Sequence, residues 1–134
     1  MRLFKFGPFF RVLHGDNLAR DRKLDRRPTP IFEENTIDIV INLSGYNFDK
    51  LLHKLNGHDH HHEVQKMLDV NIKGSINILS ACLPSMRTNG YGRIILMSSV
   101  LAEKVVLGTS LYSGSKAFID NLVKTASAEN ISKG

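Results

Sequence analysis

Apolar positions fall into segments of two different periods. Residues 36–45, TIDIVINLSG, carry Ile37, Ile39, Val40, Ile41 and Leu43 in a nearly continuous run. Such a run of β-branched and aliphatic residues predicts a strand, and its continuity suits a parallel sheet covered on both faces. Gly45 ends it. RIILMSS, 93–99, predicts a second buried strand after an NGYG turn. Between them the period changes. From about Glu63 to Met86 the apolar positions are Val64, Met67, Leu68, Ile72, Ile76, Leu79, Cys82 or Leu83, and Met86. That spacing predicts a helix, which Pro84 should bend or end in its last turn. A final helix is predicted from about Ser110 to Asn130. Phe118, Leu122 and Ala126 lie along one side of it and Ile119 and Val123 along another, so it should pack on two partners. Upstream, FFRVLHGDN (9–17) reads as a short strand ending in a turn. A charged segment follows, closed by PTP at 28–30, and residues 46–62 read as a polar loop.

The order strand, strand, helix, strand, helix predicts an α/β layer fold with a parallel sheet. Ligands of such sheets bind beyond the carboxyl ends of the strands. Three stretches rich in polar and small residues meet at that edge: NLSG (42–45), SSV (98–100) and YSGSK (112–116).

Composition narrows the class without changing this picture. With 134 residues, 42% hydrophobic and 23% charged, the chain has the makeup of one globular domain at most. Cys82 is the sole cysteine, which excludes an internal disulfide and suits a reducing, cytoplasmic setting. No apolar run approaches the roughly 20 residues that span a bilayer. MRLFKFGPFFR, alternating bases with aromatics, has no apolar core of a signal peptide. The net charge is +5. Much of the excess lies at Arg20, Arg22, Lys23, Arg26 and Arg27, interleaved with Asp21 and Asp25. No aromatic residue among those bases offers a stacking surface, so they read as a solvated face and no nucleic-acid partner is expected.

The chemistry concentrates at Tyr112 and Lys116. Four residues apart on a helix, they share a face one turn apart. A ketone that receives a hydride becomes an alkoxide and needs a proton, which a phenol can give. A nearby ammonium favours the phenolate and so brings the phenol toward the working range. Ser99, at the end of the preceding strand, is within reach to hold the substrate oxygen.

NLSG at 42–45, LDVN at 68–71, GRIILMSSV at 92–100 and YSGSK at 112–116, in that order and at these separations, resemble the classical short-chain dehydrogenase/reductase family. The resemblance runs from about Asp16 to the last residue. It implies a partial Rossmann-like, doubly wound parallel sheet, roughly strands three to five with the two following helices. The implied activity is hydride transfer between NAD or NADP and a small-molecule carbonyl or alcohol. By resemblance, Tyr112 is the general acid/base, and Lys116 tunes it and bonds the nicotinamide ribose. Ser99 orients the carbonyl, and Asn71 holds a water of the proton relay. Asn42, Ser44 and Gly45 line the cofactor together with Tyr112 and Lys116, and Asp16 contacts the adenine. The resemblance also implies a homo-oligomer, in an intact protein, through the two long helices.

Two departures qualify these expectations. Leu43 and Ser44 differ from the usual Asn-Asn-Ala-Gly turn. The family's Thr-Gly-x-x-x-Gly-x-Gly loop, whose backbone amides cradle the pyrophosphate, has no counterpart here, and neither does the second strand that selects NAD or NADP. The expectation is therefore a single incomplete domain over residues 1–134, inactive alone, in which the strand at 9–14 lies unpaired and the strand at 37–43 has an open edge. A non-catalytic interaction fragment with a vestigial site, and the NAD-dependent epimerase or dehydratase branch, remain alternatives. HDHHHE at 58–63, with His53 upstream, invites a metal. His62-Glu63 is followed by Lys66 where a zinc-protease helix needs its second histidine, so no metal site is expected.

Overall fold

The computed structural model describes residues 4–6, 10–12 and 37–133. Strand β1 (Phe4–Phe6) pairs antiparallel with β2 (Phe10–Val12) as a small ribbon. β3 (Ile39–Asn42) pairs parallel with β4 (Arg93–Leu96), with Ile39 opposite Arg93 and Asn42 opposite Leu96. Between these two strands run α1 (His61–Met67), a π-helical stretch (Leu68–Lys73) and α2 (Gly74–Asn89). After β4 come a 3₁₀ turn (Val100–Ala102) and the long helix α3 (Ser110–Asn130). This is a partial α/β fold of Rossmann type, with a parallel pair joined through a helical crossover. None of the described helices is long and apolar enough to cross a membrane.

α2 supplies the core. Ile78, Cys82 and Met86, one helical turn apart, are buried against Val40, Ile94 and Leu96 of the sheet and Ile37 just ahead of it. Gly92 admits this packing, because a side chain there would collide with Met86. α2 ends at Gly90, whose φ of 70° is the left-handed conformation that caps helices, and the Gly90 N–H bonds the Met86 carbonyl. Burial pushes the Cys82 thiol up to about 11.

Three expectations are corrected. Among the described residues, the β3–β4 sheet is covered on one face only. Val40, Ile94 and Leu96 pack on α2, while Ile39 (57% exposed), Ile41 (55%), Leu43 (67%), Ile95 (49%) and Met97 (48%) stand on the other side. The helical crossover lies wholly on one side of the pair, so a continuous apolar run meets helix on alternate residues only. Of the two outcomes expected of Pro84, an end to the helix is not found; α2 runs on to Asn89. The bond Pro84 cannot make would go to the carbonyl of Ser80, and both residues are exposed, so water replaces it at little cost. The strand around Phe10–Val12 is not unpaired, because residues at the chain's own start satisfy its backbone as β1.

Candidate active site

The helical crossover brings Asn71 inward. The π-helical stretch inserts an extra residue into the turn, and the Gly74 N–H bonds back to the Asp69 carbonyl. Asp69 accepts from Gln65 at 2.8 Å and Lys73 at 2.6 Å, one turn either side, which braces the widened turn. Asn71 is 1% exposed, not the surface or capping amide an isolated helical asparagine suggests. Its Nδ2 donates to the Tyr46 carbonyl (2.9 Å) and to Ser115 Oγ (2.9 Å), and its Oδ1 accepts from the Tyr46 N–H (2.8 Å). Ser115 Oγ in turn donates to the Tyr112 carbonyl (2.7 Å). One amide thus ties the loop after β3 to the first turn of α3, the turn that carries Tyr112.

Tyr46 and Ser115 escaped the sequence reading. Ser115 lies inside YSGSK and Tyr46 directly follows NLSG, so adjacency to both motifs was the only signal for either. The Tyr46 hydroxyl donates to Glu63, and Lys66 lies over its ring at 4.3 Å. The Glu63 bond, with burial and the carboxylate's charge adding to it, holds the Tyr46 phenol above its ordinary value.

The start of α3 is held as firmly. Thr109 Oγ1 donates to the Val106 carbonyl (2.9 Å) and pairs with Ser113 Oγ (2.9 Å). Gly108, at φ 87°, turns the chain there, and the Lys50 N–H bonds its carbonyl at 2.7 Å, joining the loop after β3 to the loop before α3. Lys116 is 2% exposed. Its ammonium donates to the Met97 carbonyl (2.8 Å) and lies 5.7 Å from the centre of the Tyr112 ring. Burial lowers its pKa, against the opposing pull of Asp120. A Cβ on Gly45 would sit 3.4 Å from this ammonium, so the glycine lets the loop pass directly beside it. Asn42 Oδ1 accepts from the Ser44 N–H (3.0 Å), which folds the Asn42–Gly45 turn over the strand end.

The two serines differ. Ser98 donates to the Lys116 carbonyl (3.3 Å), while Ser99 Oγ accepts from the Leu101 N–H (3.2 Å) and keeps its own hydrogen for another acceptor. The Val100–Ala102 turn that follows Ser99 packs on α3. Asn42, Ser44, Gly45, Asn71, Ser99, Tyr112 and Lys116 therefore all lie on elements gathered at the carboxyl end of the parallel pair. Asp16 falls outside the described residues. Along 58–63, His60 Nδ1 bonds Asn56 and its ring stands 5.8 Å from Phe48, while His58 Nδ1 lies 3.2 Å from Asp59. Among the described residues no three His, Cys, Asp or Glu side chains gather into a metal-ligating group.

Comparison with known proteins agrees with this geometry. The family model described as short chain dehydrogenase matches residues 31–134. An acetoacetyl-CoA reductase of Rhizobium meliloti is 30% identical over 98 residues, 73% of this chain and 39% of that one. A probable NADP-dependent dehydrogenase of Haemophilus influenzae is 33% identical over 84 residues, 62% of this chain and 32% of that one. The chain thus spans between about a third and two fifths of the length of these relatives. Among solved structures, a gluconate 5-dehydrogenase from Burkholderia cenocepacia, in complex with NADP and tartrate, superposes with a TM-score of 0.68 at 27% identity, covering 75% of this chain and 38% of that one.

Proposed function

Because this chain belongs to the short-chain dehydrogenase family, we propose that it carries the catalytic portion of an oxidoreductase exchanging a hydride between NAD or NADP and a small carbonyl or secondary alcohol. One observation carries the reading: a buried ammonium, Lys116, set beside the Tyr112 ring and against the Gly45 backbone. Families of this kind use a phenol as the proton source, and Tyr112 donates to the substrate oxygen during reduction and withdraws the proton during oxidation. Ser99, with its hydroxyl hydrogen unspent, holds that oxygen in place. The Asn71 side chain bonds Tyr46 and Ser115. Its main-chain carbonyl, which accepts from Ser75 and has a second lone pair, is the place on Asn71 that we assign to a water of the proton relay.

The residues present fit the nicotinamide end of the cofactor. Lys116 spends one of its three donors on Met97 and has capacity for a ribose hydroxyl. The side-chain-free Gly45 leaves the room beside it that a nucleotide needs. The cofactor, when bound there, supplies or takes the hydride. The pyrophosphate end has no such match within the 134 residues, since the glycine-rich spacing is absent. The reading is therefore an incomplete domain that binds the dinucleotide weakly and does not turn over by itself. In an intact protein α2 and α3 would offer the surface for pairing with a second copy.

A fluorescence titration of the purified chain with NADH and with NADPH, alongside a ketone-reduction assay, tests this. Weak binding without turnover is expected. Micromolar binding with turnover would show the chain to be complete in function. A stable oligomer that ignores both nucleotides would favour a non-catalytic interaction role instead.

A further inference from the structure

Tyr46 follows Gly45 directly and is held at every polar group it has. Its N–H donates to Asn71 Oδ1 (2.8 Å), and its carbonyl accepts from Asn71 Nδ2 (2.9 Å). Its hydroxyl donates to Glu63, and the Lys66 ammonium lies 4.3 Å from the centre of its ring. Glu63 and Lys66 stand one turn apart on α1, so both face the same side of that helix. These partners are of two kinds. The Asn71 bonds fix only the backbone of residue 46, and any residue but proline can make them there. The Glu63 bond needs the phenol, and the Lys66 contact needs an aromatic face. What a tyrosine adds at this position is therefore a tie between α1 and the loop after β3. That tie bears on the edge through Gly45. A Cβ on Gly45 would sit 3.4 Å from the Lys116 ammonium, so a small shift of this backbone changes the space beside that ammonium. Tyr46 is bonded to Gly45 through a rigid peptide unit, so neither residue shifts without the other.

We propose that Tyr46 is a positioning residue for the nicotinamide half of the cofactor: tied to α1 by Glu63 and Lys66, it holds Gly45 at the distance from Lys116 that the nucleotide requires. The proposal rests on the reading of this edge as a hydride-transfer site. Tyr46 acts through Gly45 and needs no contact with the nucleotide itself. Glu63, the last residue of HDHHHE, thereby gains a role in which no metal takes part. The loop beyond Tyr46 is pinned again at Lys50, whose N–H bonds the Gly108 carbonyl, so Tyr46 and Lys50 together set its path past the start of α3.

Hydrogen exchange and nucleotide binding, both followed by NMR on the full chain, test it. Tyr46→Phe removes the hydroxyl and keeps the ring. Glu63→Ala removes the acceptor from the other side, while Glu63→Gln keeps an oxygen that accepts from the phenol. In Tyr46→Phe and in Glu63→Ala, exchange of the residue 46 amide and of the Lys116 ammonium should quicken about tenfold, as loss of one hydrogen bond to a charged partner allows. The Leu101 amide, which bonds Ser99, should keep its rate, and Glu63→Gln should resemble the unaltered chain. Reduced nicotinamide mononucleotide, followed through the Ser44 and Gly45 amides, should bind Tyr46→Phe and Glu63→Ala several-fold more weakly than the unaltered chain. Unchanged exchange in both variants would overturn the proposal. So would quickening that includes Leu101, the mark of general loosening, or equal loosening in Glu63→Gln and Glu63→Ala. Binding that is equal in the unaltered chain and the variants would overturn this role alone. An unaltered chain that never responds to the mononucleotide would overturn the hydride-transfer reading and this role with it.

Discussion

The carboxyl edge of the sheet and its outer face are finished to different degrees. At the edge, Asn42, Asn71, Ser75, Thr109, Ser115 and Lys116 are all buried polar residues. Among the described residues no buried side-chain nitrogen or oxygen lacks a hydrogen-bond partner. On the outer face, Ile39, Ile41 and Ile95 are each about half exposed and stand apart from the core cluster that α2 builds. The difference follows from where the partners come from. Among the described residues, the bonds at the edge join segments within residues 42–116. Cover for the outer face must come from elsewhere in sequence. The polar edge can therefore be locally self-consistent on a sheet whose apolar faces, among the described residues, are only half enclosed.

Replacing Asn71 by leucine should break the well-finished region most severely. It would leave the Tyr46 N–H and carbonyl without partners and take from the Ser115 hydroxyl the donor it accepts from, at a cost of about 3–5 kcal/mol by urea unfolding. A cost below about 1 kcal/mol would show that the amide network does not hold the edge together. Met86→Ala, on the enclosed side of the sheet, should cost about 2–4 kcal/mol, as deletion of a buried side chain from a small cluster does. Ile41→Thr, on the outer face, should change stability by no more than about 0.5 kcal/mol, as a substitution at a half-exposed position does, and a cost above about 1 kcal/mol would show that face to be covered.

Lys116 gives the edge a pH signature. Burial lowers its pKa below the ordinary 10.5. The unfolded chain therefore holds this proton more tightly than the folded one, and the group's contribution to stability rises as pH climbs from the folded value toward 10.5. Below the folded value both states are protonated and the contribution is flat. Lys116→Met should remove that slope, which unfolding measured across alkaline pH would show. The smallest effect is expected at Cys82. With its thiol pushed up to about 11 and its side chain buried in the core, it should react with a thiol reagent only as fast as the chain unfolds.

The sequence carried most of what lies within one element and little of what joins two. The continuous run at 37–43 and the small-residue helix start at 110 announced β3 and α3, and α3 spans Ser110–Asn130 as its apolar pattern predicts. The i, i+4 spacing put Tyr112 and Lys116 on one face, and the structure sets the ammonium beside the ring. The bonds of Asn71 to Tyr46 and Ser115 cross 25 and 44 residues, and a side chain reaching a distant backbone leaves no local periodicity to read. One-sided cover was equally hidden. A run of apolar residues records that a strand avoids water, not how many layers protect it. The persistence of α2 through Pro84 depended on Ser80 being exposed, which is a property of the packed helix rather than of the dipeptide around the proline.

The most direct measurement follows amide chemical shifts of the full chain as reduced nicotinamide mononucleotide, and then NADPH, is added to millimolar concentration. The mononucleotide carries only the half of the cofactor that Gly45 and Lys116 fit. Both ligands are expected to move the amides of Asn42–Gly45, Ser99, Tyr112 and Lys116, with the dinucleotide binding no more than a few-fold tighter. Shifts that spare those residues, or that never appear, would contradict the placement of a hydride-transfer site at this edge.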